Sequence, residues 1–172
     1  MEPRLRYTTE KTPWGYIGIV ASDAGLVRLT LPCKREQDAL TEVAENLTGY
    51  AILDPAPFAD LLPRIISYFE GAPSDFGDVA LDMSHATPFR RRVMNAVRRI
   101  PRGQVMSYRG VASKVGRPLA ARAVGATMAA NPVCIIVPCH RVVGSDGALV
   151  GFGGGLQMKQ RMLEMEGARL AA

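Results

Sequence analysis

The first half of the chain alternates short apolar segments with polar turns. Four segments have the composition of strands, namely residues 4–9, 15–22, 26–31 and 78–83. Residues 34–47 are mostly polar and predict a helix. Residues 57–70 predict a second helix, because their large apolar side chains recur at helical spacing. This mixture predicts an α/β region.

A new unit is predicted to begin near Thr87. Threonine is a favoured helix N-cap, and the proline that follows it suits the first helical position. The apolar residues from Phe89 to Ile100 fall on one face of this helix, and arginines occupy much of the rest. We therefore place a boundary within residues 83–87, which gives an N-terminal domain of residues 1–84 and a C-terminal domain of residues 85–172.

Two further helices are predicted close together in the second domain. Residues 107–115 have helical spacing, and Gly116 follows at a position where helices commonly end. Pro118 is predicted to start the next helix, which runs to about Ala130. Two short helices joined by a glycine-containing turn are typical of a helix-turn-helix, although many other helix pairs share the pattern.

The second of these helices is unusually poor in side chains. Residues 118–130 include six alanines and one glycine, and Arg122 is the only charged residue between Pro118 and Cys139. Such a surface permits close approach to a narrow groove, whereas a major-groove reader carries Arg, Asn or Gln toward the base edges. The alternative is a small-residue helix packed inside the protein.

Charge is distributed unevenly between the two halves. Residues 1–86 carry 7 Lys+Arg and 13 Asp+Glu, whereas residues 87–172 carry 14 and 3. The basic half suits a polyanion such as nucleic acid, or is simply a solvated face. Three scattered cysteines and no N-terminal signal segment favour a reducing cytoplasm. No apolar run is long enough for a membrane span, and the cysteine and histidine spacing predicts no metal site.

The segment NPVCIIVPCHRVVG, residues 131–144, combines an apolar run with reactive side chains. The run predicts a buried strand that ends at Pro138, which places Cys139 where the chain leaves the sheet. Cys139 and His140 are neighbours, and a base beside a cysteine can generate the nucleophilic thiolate. A buried cysteine beside a chance histidine is the commoner explanation for such a pair.

Two features follow that could complete a site. Residues 144–155 contain six glycines, which suits a backbone wall around a ligand. A final helix over about 156–166 has Leu156, Met162 and Leu163 on one side, and Glu166 falls on the same stripe. Glu166 either partners His140 inside the protein or lies in solvent at the end of the helix.

These motifs together resemble the O6-alkylguanine-DNA alkyltransferases. The resemblance is carried by PCHRV, the preceding NPV, SYRGVA, GRPLAARAVG and GFGGGLQMKQRMLEMEG, and it covers residues 85–168 densely. It implies an N-terminal α/β domain with a small antiparallel, ribonuclease-H-like sheet. It also implies a mainly helical C-terminal domain that resembles a winged helix-turn-helix and carries the active site.

The resemblance also implies the chemistry. Cys139 would take an alkyl group from O6 of guanine by in-line displacement and become a thioether. His140 would act as the base through a water molecule, and Glu166 would hold its imidazole. Each molecule would react once, without a metal or organic cofactor. Non-catalytic relatives have another residue, typically tryptophan, where this chain has Cys139.

DNA contacts are implied by the same resemblance. The helix-turn-helix would bind the minor groove of double-stranded DNA containing alkylated bases. O6-alkylguanine is the implied substrate, and the sequence leaves open whether O4-alkylthymine is also accepted. Arg122 would fill the stack after the base is extruded, Tyr108 would help to rotate the nucleotide, and Asn131 would link the second helix to the active-site strand. The remaining implied substrate or DNA contacts are Ser107, Val142, Phe152, Gly153 and Lys159. The protein would act as a monomer in the cytoplasm.

Three positions near the predicted pocket depart from the family pattern. Phe152 stands where many members have tyrosine, Gly153 where some have serine, and Cys134 where many have proline. The last change would alter the rim of the pocket. Two other functions remain open from the residues: a DNA-binding protein that senses alkyl lesions without transfer, and a cysteine hydrolase. The basic half and the alanine-rich helix argue against the hydrolase.

Overall fold

The computed structural model describes residues 4–45, 47 and 50–170. It divides into two compact units. The first ends at Ser84 and also includes Pro132–Cys134, and the second comprises His85–Asn131 and the chain from Ile135 onward. Residue 46 of the predicted first helix, and the outermost residues of both predicted domains, lie outside the described residues.

A four-stranded sheet forms the centre of the first unit. Its strands are β1 (Leu5–Thr12), β2 (Gly15–Ser22), β3 (Gly25–Leu29) and β4 (Ala51–Leu53). The order is β3-β2-β1-β4, and β1, β2 and β3 form an antiparallel meander, as expected for the antiparallel sheet that the family resemblance implies. β4, which the sequence pattern did not predict, pairs in parallel with β1. The strand predicted over 78–83 is wrong, because this segment contributes only an isolated bridge from Leu81 to Leu26.

Two helices pack against this sheet and bury its apolar side chains. α1 (Glu36–Ala44) packs on β2, and α2 (Leu61–Phe69) packs on β1 after a short 3-10 turn at Ala56–Phe58. α1 approaches β2 closely at Gly18, where an added Cβ would lie 2.3 Å from Cγ2 of Val43. The side chains of Ile17, Ile19 and Ile65 are completely buried.

The apolar run after Asn131 is not the continuous strand that its composition predicts. Val133 forms an isolated parallel bridge with Leu29, and the N–H of Cys134 donates to Leu29 O at 3.2 Å. Ile135 then adopts a positive φ of 74°, which ends the extended conformation. The side chains from Ile135 to Val137 remain buried, so the run provides core packing without a strand.

The second unit is mainly helical. Its helices are α3 (Pro88–Arg98), α4 (Tyr108–Lys114), α5 (Ala121–Ala129) and α6 (Leu156–Met165). As predicted, Thr87 caps α3, and its side chain accepts a hydrogen bond from the N–H of Arg90. Two short strands, β5 (Met106–Ser107) and β6 (Val142–Val143), pair in parallel. None of the helices in the described ranges combines the length and the apolarity needed to cross a membrane.

α4 and α5 form the predicted helix pair. Gly116, in the turn between them, has a φ of 74°, a conformation that a side chain would disfavour. The prediction that Pro118 starts the second helix is wrong. The N–H of Ala120 donates to Arg117 O, which closes a turn around Pro118, and the helix begins at Ala121.

Candidate active site

Cys139 begins a single 3-10 turn, Cys139–Arg141, within the second unit. This turn replaces the predicted strand end. The N–H of Cys139 donates to Val137 O at 2.8 Å, and the N–H of Arg141 donates to Pro138 O at 2.9 Å. Cys139 is 6% exposed, so the protein covers most of the residue and only a small part of it reaches solvent.

His140 is held by a buried carboxylate. Its Nε2 lies 2.7 Å from Oε1 of Glu166, and both side chains are completely buried. Glu166 directly follows α6 at its C-cap, so the end of that helix delivers the carboxylate. Burial would raise the pKa of Glu166, but the hydrogen bonds from His140 and Arg141 outweigh burial and hold it well below its ordinary value.

The histidine itself is kept neutral. Burial lowers the pKa of His140 from its ordinary value of 6.5, although the hydrogen bond to Glu166 opposes that shift. An ionised carboxylate can only accept, so Nε2 carries a proton and donates it to Glu166. The other ring nitrogen, Nδ1, is also buried. It is therefore the nitrogen through which a neutral His140 can accept a proton.

Arg141 completes this network, and sequence reasoning assigned it no role. Its Nε and Nη2 donate to the two carboxylate oxygens of Glu166, both at 2.9 Å, and its Nη1 donates to Ile100 O at 2.7 Å. Bidentate pairing of this kind fixes a carboxylate in position. The available signal was an arginine embedded in an apolar stretch, but its partners lie 25 and 41 residues away in sequence.

Asn131 connects the end of α5 to the residues before Cys139. Its Nδ2 donates to Val137 O at 2.9 Å. The same carbonyl accepts the N–H of Cys139. The backbone in front of Cys139 is thus fixed by a side chain that directly follows the helix pair.

A cavity of about 480 Å³ brings Tyr108 and Arg122 together in the second unit. Its lining includes Gly125 and Val150, and the hydroxyl of Tyr108 donates to Val150 O at 3.1 Å. Arg122 is exposed on α5. Burial raises the pKa of Tyr108, and the charge of Cys139 adds to that shift. Because this pKa is raised, the Tyr108 hydroxyl that lines the cavity is neutral.

The outward face of α5 consists of small side chains around that arginine. Its exposed residues, together with the C-cap, are Arg122, Ala123, Ala126, Ala129 and Ala130. The inward face buries Val124 and Met128. Four of the six alanines identified in the sequence are therefore on the surface, and Ala120 and Ala121, at the start of the helix, are half-buried.

Lys159 is buried and contacts backbone. Its Nζ donates to Val142 O at 2.6 Å and to Val150 O at 3.0 Å. Burial lowers the pKa of Lys159, and the charge of Cys139 opposes that shift. The lysine ties the glycine-rich segment to β6. The carbonyl of Val142, which was expected to contact the substrate, accepts this hydrogen bond from Lys159.

The remaining predicted contact residues are more scattered. Ser107 caps α4, and its side chain accepts from the N–H of Gly110 at 2.9 Å. Phe152 is half-buried and Gly153 is exposed in the glycine-rich segment, outside the lining of the cavity. Cys134, expected at the pocket rim, groups with the first unit. Leu156, expected on the inward face of α6, is 47% exposed. No His, Cys, Asp and Glu side chains among the described residues cluster as metal ligands.

Family models match almost the whole chain. The ribonuclease-like domain of 6-O-methylguanine DNA methyltransferase matches residues 5–83, and the DNA binding domain of the same family matches residues 88–168. The chain belongs to this methyltransferase family. Membership agrees with the resemblance seen in PCHRV and the motifs around it.

Curated relatives within the family match over nearly their full length. A methylated-DNA–protein-cysteine methyltransferase of Mycolicibacterium paratuberculosis is 37% identical, with 94% of this chain and 92% of the relative covered. One from Salmonella typhimurium is 38% identical, with 95% and 97% covered. Among solved structures, Mycobacterium tuberculosis OGT in complex with DNA has a TM-score of 0.78 at 35% identity, with 95% and 92% covered. The α/β and helical architecture is thus that of a known methyltransferase fold.

Proposed function

We propose that this chain is a methylated-DNA–protein-cysteine methyltransferase that repairs O6-alkylguanine in duplex DNA by moving the alkyl group to Cys139. The observation that carries this proposal is the buried hydrogen bond of 2.7 Å between His140 and Glu166. It matters because His140 directly follows a cysteine, Cys139, in the chain. Family membership supplies the substrate class, and this pair supplies the means to activate the thiol.

Activation requires a neutral base next to the thiol. Burial lowers the pKa of His140, so the imidazole is neutral at pH 7. Glu166 occupies Nε2 and fixes the tautomer, which leaves the lone pair on Nδ1 to accept the thiol proton through a bridging water molecule. When the imidazole becomes positively charged, the ionised Glu166 stabilises it. This is the relay of nucleophile, base and orienting acid found in other activated cysteines.

The transfer itself is a displacement at the alkyl carbon. The Cys139 thiolate forms a carbon–sulfur bond while the bond from that carbon to guanine O6 breaks, and the electron pair stays on guanine. The proton taken from the thiol returns to the leaving guanine. A thioether is stable and the relay cannot reverse it, so each molecule acts once, and the reaction needs no cofactor or metal.

The base must leave the stack before the thiol can reach it. The small-residue face of α5 suits a narrow groove, and we assign it to the minor groove of the damaged duplex. Arg122 at the start of this face fills the gap in the stack. Tyr108, in the same cavity, rotates the nucleotide toward Cys139. The relative from M. tuberculosis is described in complex with DNA, which supports DNA as the partner.

The two domains and the remaining contact residues have separate roles in this proposal. We assign DNA binding and transfer to residues 85–172, and a supporting role to residues 1–84. Ser107 places α4 against the DNA, and Lys159 supports the wall of the base pocket formed by Val142, Phe152 and Gly153. We expect the protein to act as a monomer in the cytoplasm.

The test is a permanent mass gain on Cys139. Intact-protein mass spectrometry after incubation with a duplex containing O6-methylguanine should show one added methylene in every reacted molecule, because a methyl replaces the thiol hydrogen. Peptide mapping should place it on Cys139. Cys134→Ala should react normally, and Cys139→Ala should not react. Folded protein that binds the duplex with Cys139 unmodified would instead identify a non-catalytic lesion-binding protein.

A further inference from the structure

The cavity lined by Tyr108 and Arg122 has a second arginine in its lining, Arg109, to which the proposed reaction gives no role. Arg109 directly follows Tyr108 on α4, and α4 packs against α5, which carries Arg122. Both arginines are exposed, so a molecule from outside can reach their guanidinium groups. Because Arg122 is assigned to the gap in the base stack, Arg109 is left as an additional cation at the same cavity.

The polar side chains that line this cavity suit an anion. Besides the two arginines they are Tyr108 and Ser145, and the lining includes no Asp or Glu. All four can donate hydrogen bonds, and the arginines are permanently charged. Asp146 follows Ser145 in sequence but is not part of the lining, and its carboxylate accepts the N–H of Ala148 at 3.0 Å. The cavity therefore favours a negatively charged group.

The charge of these two arginines is not offset by the protein's own carboxylates. Salt bridges within the described part of the chain use other arginines, namely Arg6, Arg35, Arg64 and Arg141. In Arg141, for example, the charge is taken up by the buried Glu166. Arg109 and Arg122 thus differ from the paired arginines, because their charge is available to a bound anion.

We propose that Arg109 binds one of the two phosphates that flank the extruded nucleotide. The inference rests on the proposed DNA-repair function and deepens it by adding a binding residue for the extruded state. Extrusion turns a nucleotide about its backbone, so the flanking phosphates are displaced with it. Tyr108, which is assigned to that rotation, lines the cavity beside Arg109, so the displaced backbone comes to the arginine. A guanidinium forms strong, charge-assisted hydrogen bonds with phosphate.

Such a contact differs from an ordinary contact with the DNA backbone. A cation that binds phosphates of the stacked duplex adds affinity for any duplex, damaged or not. Arg109 would instead meet its phosphate only after the nucleotide has turned. We therefore expect Arg109 to affect the rate of alkyl transfer from duplex DNA more than it affects the affinity for undamaged DNA.

The experiment combines a variant of the full chain with a change in the DNA. Arg109→Gln removes the charge of an exposed side chain, and Lys114→Gln is the matched control, since Lys114 is also exposed on α4 but does not line the cavity. Three duplexes each contain one O6-methylguanine. The first has natural phosphates, and the others have an uncharged methylphosphonate at the position 5′ or 3′ of the lesion. Single-turnover transfer rates are compared for every combination.

Arg109→Gln should slow transfer from the natural duplex about tenfold, as expected for the loss of one charge-assisted hydrogen bond. One of the two methylphosphonates should slow the wild-type protein by a similar factor. On that duplex Arg109→Gln should cause little further loss, because the contact is already missing. Lys114→Gln should change the rate by the same factor on all three duplexes. Arg109→Lys should recover part of the rate, since the charge returns.

Free O6-benzylguanine separates phosphate binding from damage to the reactive site. It carries no phosphate, so Arg109→Gln should react with it at the wild-type rate. Equal slowing with the free base and the natural duplex would overturn the inference. An unchanged rate on the natural duplex would overturn it too, and so would a tenfold loss that persists with either methylphosphonate.

Failure of this inference differs from failure of the proposed function. Wild-type protein that neither binds the natural duplex nor gains mass would overturn the proposed function. Wild-type protein that gains mass on Cys139, while Arg109→Gln shows one of the contrary results above, would overturn the role of Arg109 alone.

Discussion

At the scale of single residues, Arg122 tests whether a base is extruded. It is exposed on a face otherwise made of alanines. If its side chain offsets about 1.4 kcal/mol of the unstacking cost, Arg122→Ala should slow repair of duplex DNA about tenfold. Reaction with free O6-benzylguanine should hardly change. Single-turnover rates with both substrates provide the measurement, and equal slowing of the two would remove the stacking role. Ala123→Ser, one position along, serves as the control.

Arg141 is the residue through which the charge of the relay can be adjusted. Burial lowers the pKa of His140, and the nearby positive charge of Arg141 contributes in the same direction. In Arg141→Gln the pKa of His140 should rise, so more imidazole is protonated at a given pH and cannot act as a base. The acid limb of the transfer rate against pH should therefore move to higher pH.

The Arg141 experiment needs a folded variant and a charge-preserving control. Removing one partner of a buried ion pair costs about 3–5 kcal/mol, so rates are compared below the melting temperature of the variant. Arg141→Lys keeps the charge while losing the bidentate geometry, and its acid limb should stay near the wild-type position. An unshifted limb in Arg141→Gln would show that the arginine serves stability alone.

At the scale of elements, local signals predicted helices better than they predicted the active-site segment. α3 followed from Thr87 and Pro88 because a cap and a first-turn proline act within one turn. Residues 132–138 were predicted as a strand because apolar composition cannot distinguish a strand from an irregular buried segment. The positive φ of Ile135 depends on tertiary packing, and no residue in the sequence signals it.

The candidate site divides in the same way. Cys139, His140 and Glu166 were identifiable from type and spacing, and the structure brings the last two into contact. The role of Arg141 was not identifiable from the sequence, because its partners, Ile100 O and the carboxylate of Glu166, come from distant elements. Lys159 was expected to contact substrate or DNA, whereas in the structure it donates to two backbone carbonyls. Contacts of a side chain with backbone carbonyls produce no periodic pattern in the sequence, so this role could not be predicted.

Lys159 predicts the behaviour of the glycine-rich segment as an element. Lys159→Met removes the donor to Val142 O and Val150 O while keeping much of the side-chain volume. Leaving these carbonyls without that donor should cost about 1–3 kcal/mol of stability. Amide hydrogen exchange should speed up in residues 144–151. Gln160→Met, on the exposed side of the same helix, should leave the stability and the exchange rate unchanged. If Lys159→Met also left them unchanged, the lysine would not be the anchor of this segment.

At the scale of the whole molecule, the buried relay should make the protein sensitive to acid. The folded pKa values of His140 and Glu166 both lie below their ordinary values of 6.5 and 4.5. The unfolded chain therefore binds more protons than the folded chain in acid. The stability that these groups contribute is present above those ordinary values. It is lost as pH falls, first below 6.5 through His140 and then below 4.5 through Glu166.

Urea unfolding at pH values from 8 to 4 measures this effect. The free energy of unfolding should decline once pH drops below 6.5, the ordinary value for histidine. His140→Gln should flatten the first part of the decline, because glutamine does not titrate. A wild-type stability that is constant between pH 7 and pH 5 would contradict a buried neutral histidine.

The excursion of Pro132–Cys134 into the first unit has a consequence for modularity. The N–H of Leu29 donates to Pro132 O, and Leu29 O accepts from Cys134, so this tripeptide completes an edge of the first unit. The second unit is therefore not one continuous stretch of gene. A fragment that begins at His85 carries Pro132–Cys134 without the strand that contains its partner, Leu29. The tripeptide that loses its partner lies only a few residues before Cys139. Recombining halves from different relatives would separate the same partners unless Leu29 and residues 132–134 were exchanged together.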